Sequence, residues 1–169
     1  MIRPILKFGA VPLHDRAADV GELTGDIQKL IDDMIETMYA APGIGLAAPQ
    51  IGVSLRIFVV DLSVGRDRDG LMVLINPEFV ALEGMQLEEE GCLSIPGFNA
   101  TVARPMRAVV RGIDRTGTLR TVEGTELLAR ALQHEMDHLD GKLFLDRVRG
   151  IKRDLIVKKI RKMTRAGKW

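Results

Sequence analysis

Apolar residues recur at helical spacing early in the chain. Ile27, Leu30, Ile31, Met34, Ile35 and Met38 fall on one side of a helix, which predicts a helix from about Glu22 to Ala40 with Thr24 as its cap. The pattern then changes. Arg56 to Leu62 and Leu71 to Leu82 are runs of β-branched and apolar residues, separated by the polar, glycine-bounded segment Gly65 to Gly70, and they read as two strands joined by an exposed turn. Ala108 to Asp114 and Thr118 to Val122 form a second such pair around Arg115-Thr116-Gly117. Helical spacing returns from Thr125 to Asp140, with Thr125 placed to cap the helix, Glu126 in its first turn and Gly141 to stop it. Leu127, Ala131, His134 and His138 form one stripe of that helix, with Leu128, Leu132 and Leu139 beside it. A last helix is expected over about 148–165, where Ile151, Leu155, Ile160 and Met163 approximate an apolar side. Strands in runs, with helices at intervals and no repeating βα alternation, predict an α+β architecture.

Composition narrows this picture. A chain of 169 residues, 46% of them hydrophobic, suits a single domain over residues 1–169 with a sizeable core. No apolar run approaches the roughly 20 residues of a membrane span, and Met1 to Ala10 lacks the apolar stretch of a secretory signal. The expectation is a soluble, cytoplasmic protein with no membrane partner. A lone cysteine, Cys92, excludes an internal disulfide and leaves a buried small residue, a reactive thiol or a metal ligand.

Charge is distributed unevenly. Residues 147–168 hold ten of the 24 basic residues and one acid, Asp154, leaving 14 basic residues against 22 acids in the remainder. A solvated amphipathic helix docked on the body explains such a tail, and so does contact with a polyanion, RNA above all, through phosphate neutralisation.

The chemistry concentrates in His134-Glu135-Met136-Asp137-His138. Two imidazoles four residues apart leave a helix on the same face one turn apart, so both can bind one metal ion while Glu135 between them moves protons. The competing explanation is a pair of ordinary half-buried histidines. A catalytic metal of this kind takes three protein ligands, and Cys92 in Glu90-Gly91-Cys92-Leu93-Ser94-Ile95-Pro96 is the candidate for the third. Gly91 would let a ligand approach the backbone. The segment Gly43-Ile44-Gly45-Leu46-Ala47-Ala48-Pro49-Gln50 reads as a loop of small residues forming a cleft wall, with backbone groups at Gly43 and Gly45 open to an extended peptide and Gln50 able to donate to an oxyanion. Asp137 and Asp140 read either as groups that orient ligands or as solvated acids at the helix end.

These three segments, in this order, resemble the peptide deformylase family of iron-dependent metallohydrolases of bacterial type: a glycine-alanine-glutamine loop, an EGCLS segment and an HExDH helix. The resemblance implies small antiparallel sheets packed around the HExDH helix, with a C-terminal helix. It implies Cys92, His134 and His138 as metal ligands, Glu135 as general base and acid, and Gln50 with the Leu93 N–H as oxyanion donors. The implied reaction is removal of the formyl group from the N-terminal formylmethionine of nascent peptides, with formate as product. Ile44, Leu127 and Ala131 would line the slot for methionine, and Gly43, Gly45 and Gly91 would pair with the peptide backbone. The family points to one divalent ion, Fe(2+), for which Zn(2+), Ni(2+) or Co(2+) can substitute. It also points to ribosome contact through the basic C-terminal helix, with no role for DNA.

Two other readings share the HExxH signature. A zinc endopeptidase has nearly the same mechanism, although an upstream cysteine ligand argues against it. A structural metal site in a binding protein without activity would call for a closed fourth ligand, and the remaining histidine, His14, sits before Asp15-Arg16 in a polar stretch.

Overall fold

The computed structural model describes Met1 to Trp169 throughout. After a short 3₁₀ turn at Val11–Leu13 the chain forms α1 (Gly25–Ala40), β1 (Gly45–Ala47), a 3₁₀ turn (Ala48–Ile51), β2 (Ile57–Val60), β3 (Met72–Glu83), β4 (Gln86–Gly91), β5 (Asn99–Arg104), β6 (Arg107–Ile113) and β7 (Leu119–Thr125). Then follow α2 (Glu126–Leu139), a 3₁₀ turn (Phe144–Arg147) and α3 (Ile151–Arg165). The architecture is α+β, with one antiparallel sheet ordered β1-β2-β3-β6-β7 and a second made of β4 and β5.

Every residue of β2 is buried because helices cover both faces of its sheet. Successive side chains of a strand point to opposite faces. Ile57 and Val59 accordingly join Leu46 and Ile75 against Leu30, Ile31, Met34 and Met38 of α1. Phe58 and Val60 join Ala47, Leu74 and Val110 against Ala131, Leu132, Met136 and Leu139 of α2. The unbroken run Ile57-Phe58-Val59-Val60 is the sequence signature of a strand between two helical layers. A third cluster lies elsewhere, where Leu13, Ile95, Val102, Phe144, Leu145, Ile156 and Ile160 pack together and seat α3 beside β5.

The helix starts differ in how they are made. Thr24 caps α1, its hydroxyl accepting from the Ile27 N–H at 3.3 Å. Thr125 stands at the N-cap of α2, but its side chain makes no capping bond. Thr125 is instead the last residue of β7, paired with Arg107, and Glu126 turns the chain into the helix at φ 53° while its N–H donates to Met106 O. The expected threonine thus occupies the N-cap position, and what is absent is its capping hydrogen bond.

The apolar side expected for α3 is corrected. Ile151 and Leu155 are 78% and 53% exposed, whereas Ile156 and Ile160, one turn apart, are the buried pair. α3 begins at Ile151 rather than near 148, because Val148 is extended and Gly150 holds a positive φ.

The sheet pairs expected around Gly65–Gly70 and around Arg115-Thr116-Gly117 are present as β2–β3 and β6–β7. β3 carries register shifts between Ile75 and Glu78 and between Phe79 and Ala81. The first falls at Asn76-Pro77, where proline has no N–H for a ladder. Asn76 takes φ 50° and ties its amide to both N–H and C=O of Val20 at 2.8 Å.

Candidate active site

α2 carries His134 and His138 one turn apart, and β4 ends where Cys92 can meet them. His134 Nε2 and His138 Nε2 stand 3.2 Å apart, and Cys92 Sγ stands 3.4 Å from His138 Nε2. All three donor atoms lie within 4.8 Å of one another. Ligand atoms bonded at about 2.0–2.3 Å around one tetrahedral ion are separated by comparable distances. Glu90 Oε1 lies 2.5 Å from His134 Nδ1. With that nitrogen as donor, Nε2 presents a bare lone pair to the site, the arrangement that outer carboxylates impose on metal-binding histidines.

The surroundings push the two histidines in opposite directions. Burial opposes the charged form of His134, yet the Cys92 sulfur and the Glu90 carboxylate overcome it and hold this histidine well above its ordinary pKa. Burial, and then the charge on His134, push His138 well below its own. The donor set of one thiolate and two imidazoles suits a divalent ion chemically.

Glu135 is 3% exposed, and its Oε2 has no hydrogen-bond partner. Burial pushes its carboxyl up to about 7, with His134 pulling the other way and Glu90 adding repulsion. A carboxyl poised near neutrality can both take and return a proton. Gly45 makes room for it: a Cβ there would collide with Glu135 Oε1 and stand 3.0 Å from Glu135 Cδ.

The glycine-rich segment expected as a loop is in part strand. Gly45–Ala47 pairs with Phe58–Val60 as β1, and the 3₁₀ turn that follows carries Gln50 inward, 2% exposed. Gln50 Oε1 accepts from the Ala47 N–H at 3.0 Å, and its Nε2 donates to Ser94 Oγ at 3.1 Å and lies 3.8 Å from Cys92 Sγ. The amino-terminal segment straps this corner from behind, through Leu6 N–H to Gln50 O and Phe8 N–H to Ser94 O. The Leu93 N–H has no acceptor within the protein.

A cavity of about 460 Å³ opens over these groups, lined by Gly43, Ile44, Gly45, Gln50, Gly91, Cys92, Leu93, Leu127, Ala131, His134 and Glu135. His138, 1% exposed, lies behind the lining. The structure thus brings eleven of the candidate site residues named from the sequence to one groove, with His138 directly behind it.

Four contributors carry no role in the sequence reading. Pro42, Glu89 and Arg130 complete the wall, and Glu90 reaches beneath it. Arg104, 1% exposed, grips Glu90 through Nε at 2.8 Å and Nη2 at 2.6 Å, and donates from Nη1 to Asp137 at 3.0 Å. Asp137 is therefore a buried, paired acid and not a solvated one. Asp140 is 37% exposed and pairs with Arg56. The signal for Glu90 was present in β4, where Gln86 and Glu90 are the buried positions, but a polar inward face does not read as a strand.

Comparison with known proteins bears on this geometry directly. The family model described as Polypeptide deformylase matches residues 2–154. A peptide deformylase of Acidobacterium capsulatum is 51% identical over 169 residues, covering 100% of this chain and 99% of that protein. One of Thermodesulfovibrio yellowstonii is 52% identical over 160 residues, covering 95% and 97%. The crystal structure of a peptide deformylase from Legionella pneumophila superposes with a TM-score of 0.92 at 44% identity, over 99% of this chain and 98% of that one. That of Synechococcus elongatus, in complex with actinonin, gives 0.88 at 37% identity, over 94% and 89%. With a cysteine sulfur, two imidazoles and an unpaired buried carboxyl converging at the groove of this shared fold, the chain belongs to the peptide deformylase family.

Proposed function

We propose how this chain carries out the reaction of its family, the hydrolytic removal of formyl groups from the N-termini of newly made proteins. The carrying observation is the convergence of Cys92, His134 and His138 beside the unpartnered Oε2 of Glu135. Cys92, His134 and His138 would hold one divalent ion. When bound, that ion supplies Lewis-acid chemistry, lowering the pKa of water and polarising the formyl carbonyl.

The remaining work falls to the protein's own groups. Glu135 takes a proton from the attacking water and returns it to the departing amine. The Gln50 amide and the free Leu93 N–H donate to the oxygen that becomes negative in the transition state. The half-exposed Leu127, with Ile44 and Ala131, offers an apolar slot for methionine, and Gly43, Gly45 and Gly91 leave backbone open for pairing with the following residues. Main-chain recognition tolerates many sequences, as an enzyme acting on most nascent chains requires.

The metal is assigned as Fe(2+), with Zn(2+), Ni(2+) and Co(2+) as substitutes that the same soft and borderline ligands accept. The 169 residues act as one catalytic domain. α3, with its exposed Lys152, Lys158, Lys159, Arg161, Lys162 and Arg165, is the face for ribosome contact, and the reaction belongs to the cytoplasm where nascent chains emerge. No helix is long and apolar enough to cross a membrane.

The test is formate release from a formyl-methionyl peptide by anaerobically prepared, ferrous-loaded protein beside a Glu135→Ala variant. Release that collapses in the variant while metal content stays constant supports the assignment. Equal release by both removes Glu135 from the proton path, and internal peptide-bond cleavage without regard to the formyl group would favour a peptidase.

A further inference from the structure

Arg147 lies outside the groove, yet an unbroken series of hydrogen bonds joins it to His134. Its Nε and Nη2 each reach Asp137 at 2.6 Å, one to each carboxylate oxygen. Asp137 Oδ2 also accepts from Arg104 Nη1, and Arg104 grips Glu90 with its other two donors. Glu90 Oε1 is shared between Arg104 Nη2 and His134 Nδ1.

Each step in this series constrains the next. The two-pronged grip of Arg147 fixes the plane of the Asp137 carboxylate, a geometry only a guanidinium imposes. A fixed Asp137 holds the third donor of Arg104, so the fork of Arg104 closes on Glu90 in one orientation. Glu90 then aims Oε1 at His134. Arg104, Asp137 and Glu90 are all nearly enclosed, while the Arg147 side chain is 42% exposed, so Arg147 anchors a buried polar series from its solvent end.

We propose that Arg147 is a positioning residue for the metal ligand His134, acting through Asp137, Arg104 and Glu90. It touches neither the groove nor the three ligand atoms. Carboxylates that contact a ligating histidine change metal affinity by about 10- to 100-fold, and a residue further out acts at the low end of that range. Simple electrostatics has the opposite sign: deleting a positive charge near the site tightens a bound cation. Positioning loosens it, so the direction of the change separates the two.

The measurement is made on the full chain loaded with Co(2+), following release to an excess chelator, together with the absorption of the cobalt-bound thiolate. Arg147→Met should release the ion about tenfold faster. Arg147→Lys, which keeps the charge and loses the fork, should fall between it and the parent protein. The control is Arg56→Met, because Arg56 ties Leu139 O at 2.9 Å and Asp140 at 3.0 Å at the end of the same helix without joining the series. It should lower the melting temperature with release unchanged. Unchanged or slower release from Arg147→Met, or equal acceleration in Arg56→Met, overturns the proposal. The inference rests on the ligand assignment of Cys92, His134 and His138; a parent protein that binds no Co(2+) refutes that assignment, whereas a parent that binds it and an insensitive Arg147 variant refute only the positioning role.

Discussion

Gly45 and Glu135 lie against each other with no room for a side chain between them, a Cβ on Gly45 standing 3.0 Å from Glu135 Cδ. The carboxyl proposed to move protons is thus aimed partly by a missing methyl group on a neighbouring strand. Gly45→Ala should push Glu135 out of line and lower kcat/KM by about 100-fold, the loss expected of an ångström-scale displacement of a catalytic group. Metal content should stay at the parent level, since Gly45 touches none of the three ligands. Kinetics beside metal analysis checks this, and an active Gly45→Ala protein would show that Glu135 need not hold its present position.

Glu90 links the site to stability. Burial opposes its charge, but the Arg104 guanidinium and His134 overcome this and hold its carboxyl down at about 2. A carboxyl with a depressed folded-state pKa contributes stability above its unfolded value near 4.5, and loses it as pH falls toward 2. The contribution is on the order of 3 kcal/mol. Acid denaturation of the parent should therefore steepen between pH 4.5 and 2, and Glu90→Gln should flatten that limb while lowering stability near neutrality. Urea midpoints measured across this range decide it.

Tyr39, the single tyrosine, donates to Asp61 Oδ2 at 2.5 Å. Burial and then this bond raise its pKa from 10 to about 12. Its folded pKa is raised, so the stability it supplies is complete below pH 10 and is lost as pH rises toward 12. Tyrosinate absorbance should appear only near pH 12 in the folded protein, and at lower pH in Asp61→Asn. Onset near 10 in the parent would contradict the bond.

The seating of α3 gives a stability contrast. Ile160 is 2% exposed, and Ile160→Ala should cost about 2–5 kcal/mol by opening a cavity against Phe144 and Val102. Leu155→Ala, at a side chain 53% exposed, should stay within about 0.5 kcal/mol. Thermal unfolding of both variants checks which face of α3 is docked.

Periodicity and motif spacing determined a great deal. α1 and α2, the β2–β3 and β6–β7 pairs, and the histidine pair His134 and His138 around Glu135 were all legible, because helical and strand periods and a four-residue spacing are local properties of a chain, while Cys92 stood out as the single cysteine. Tertiary structure decided the rest. β4 escaped notice because its inward positions are Gln86 and Glu90, polar residues that burial tolerates only once Gln86 donates to Pro105 O and Glu126 O, and Glu90 meets Arg104 from β5 and His134 from α2. The docked face of α3 hung on which of two overlapping apolar stripes met Phe144 and Val102. Asp137 reads in sequence as a solvated acid as readily as a buried one, and only the approach of Arg104 and Arg147 from elsewhere in the chain made it the latter. Charged groups acquire their roles from partners distant in sequence, and no local period encodes those partners.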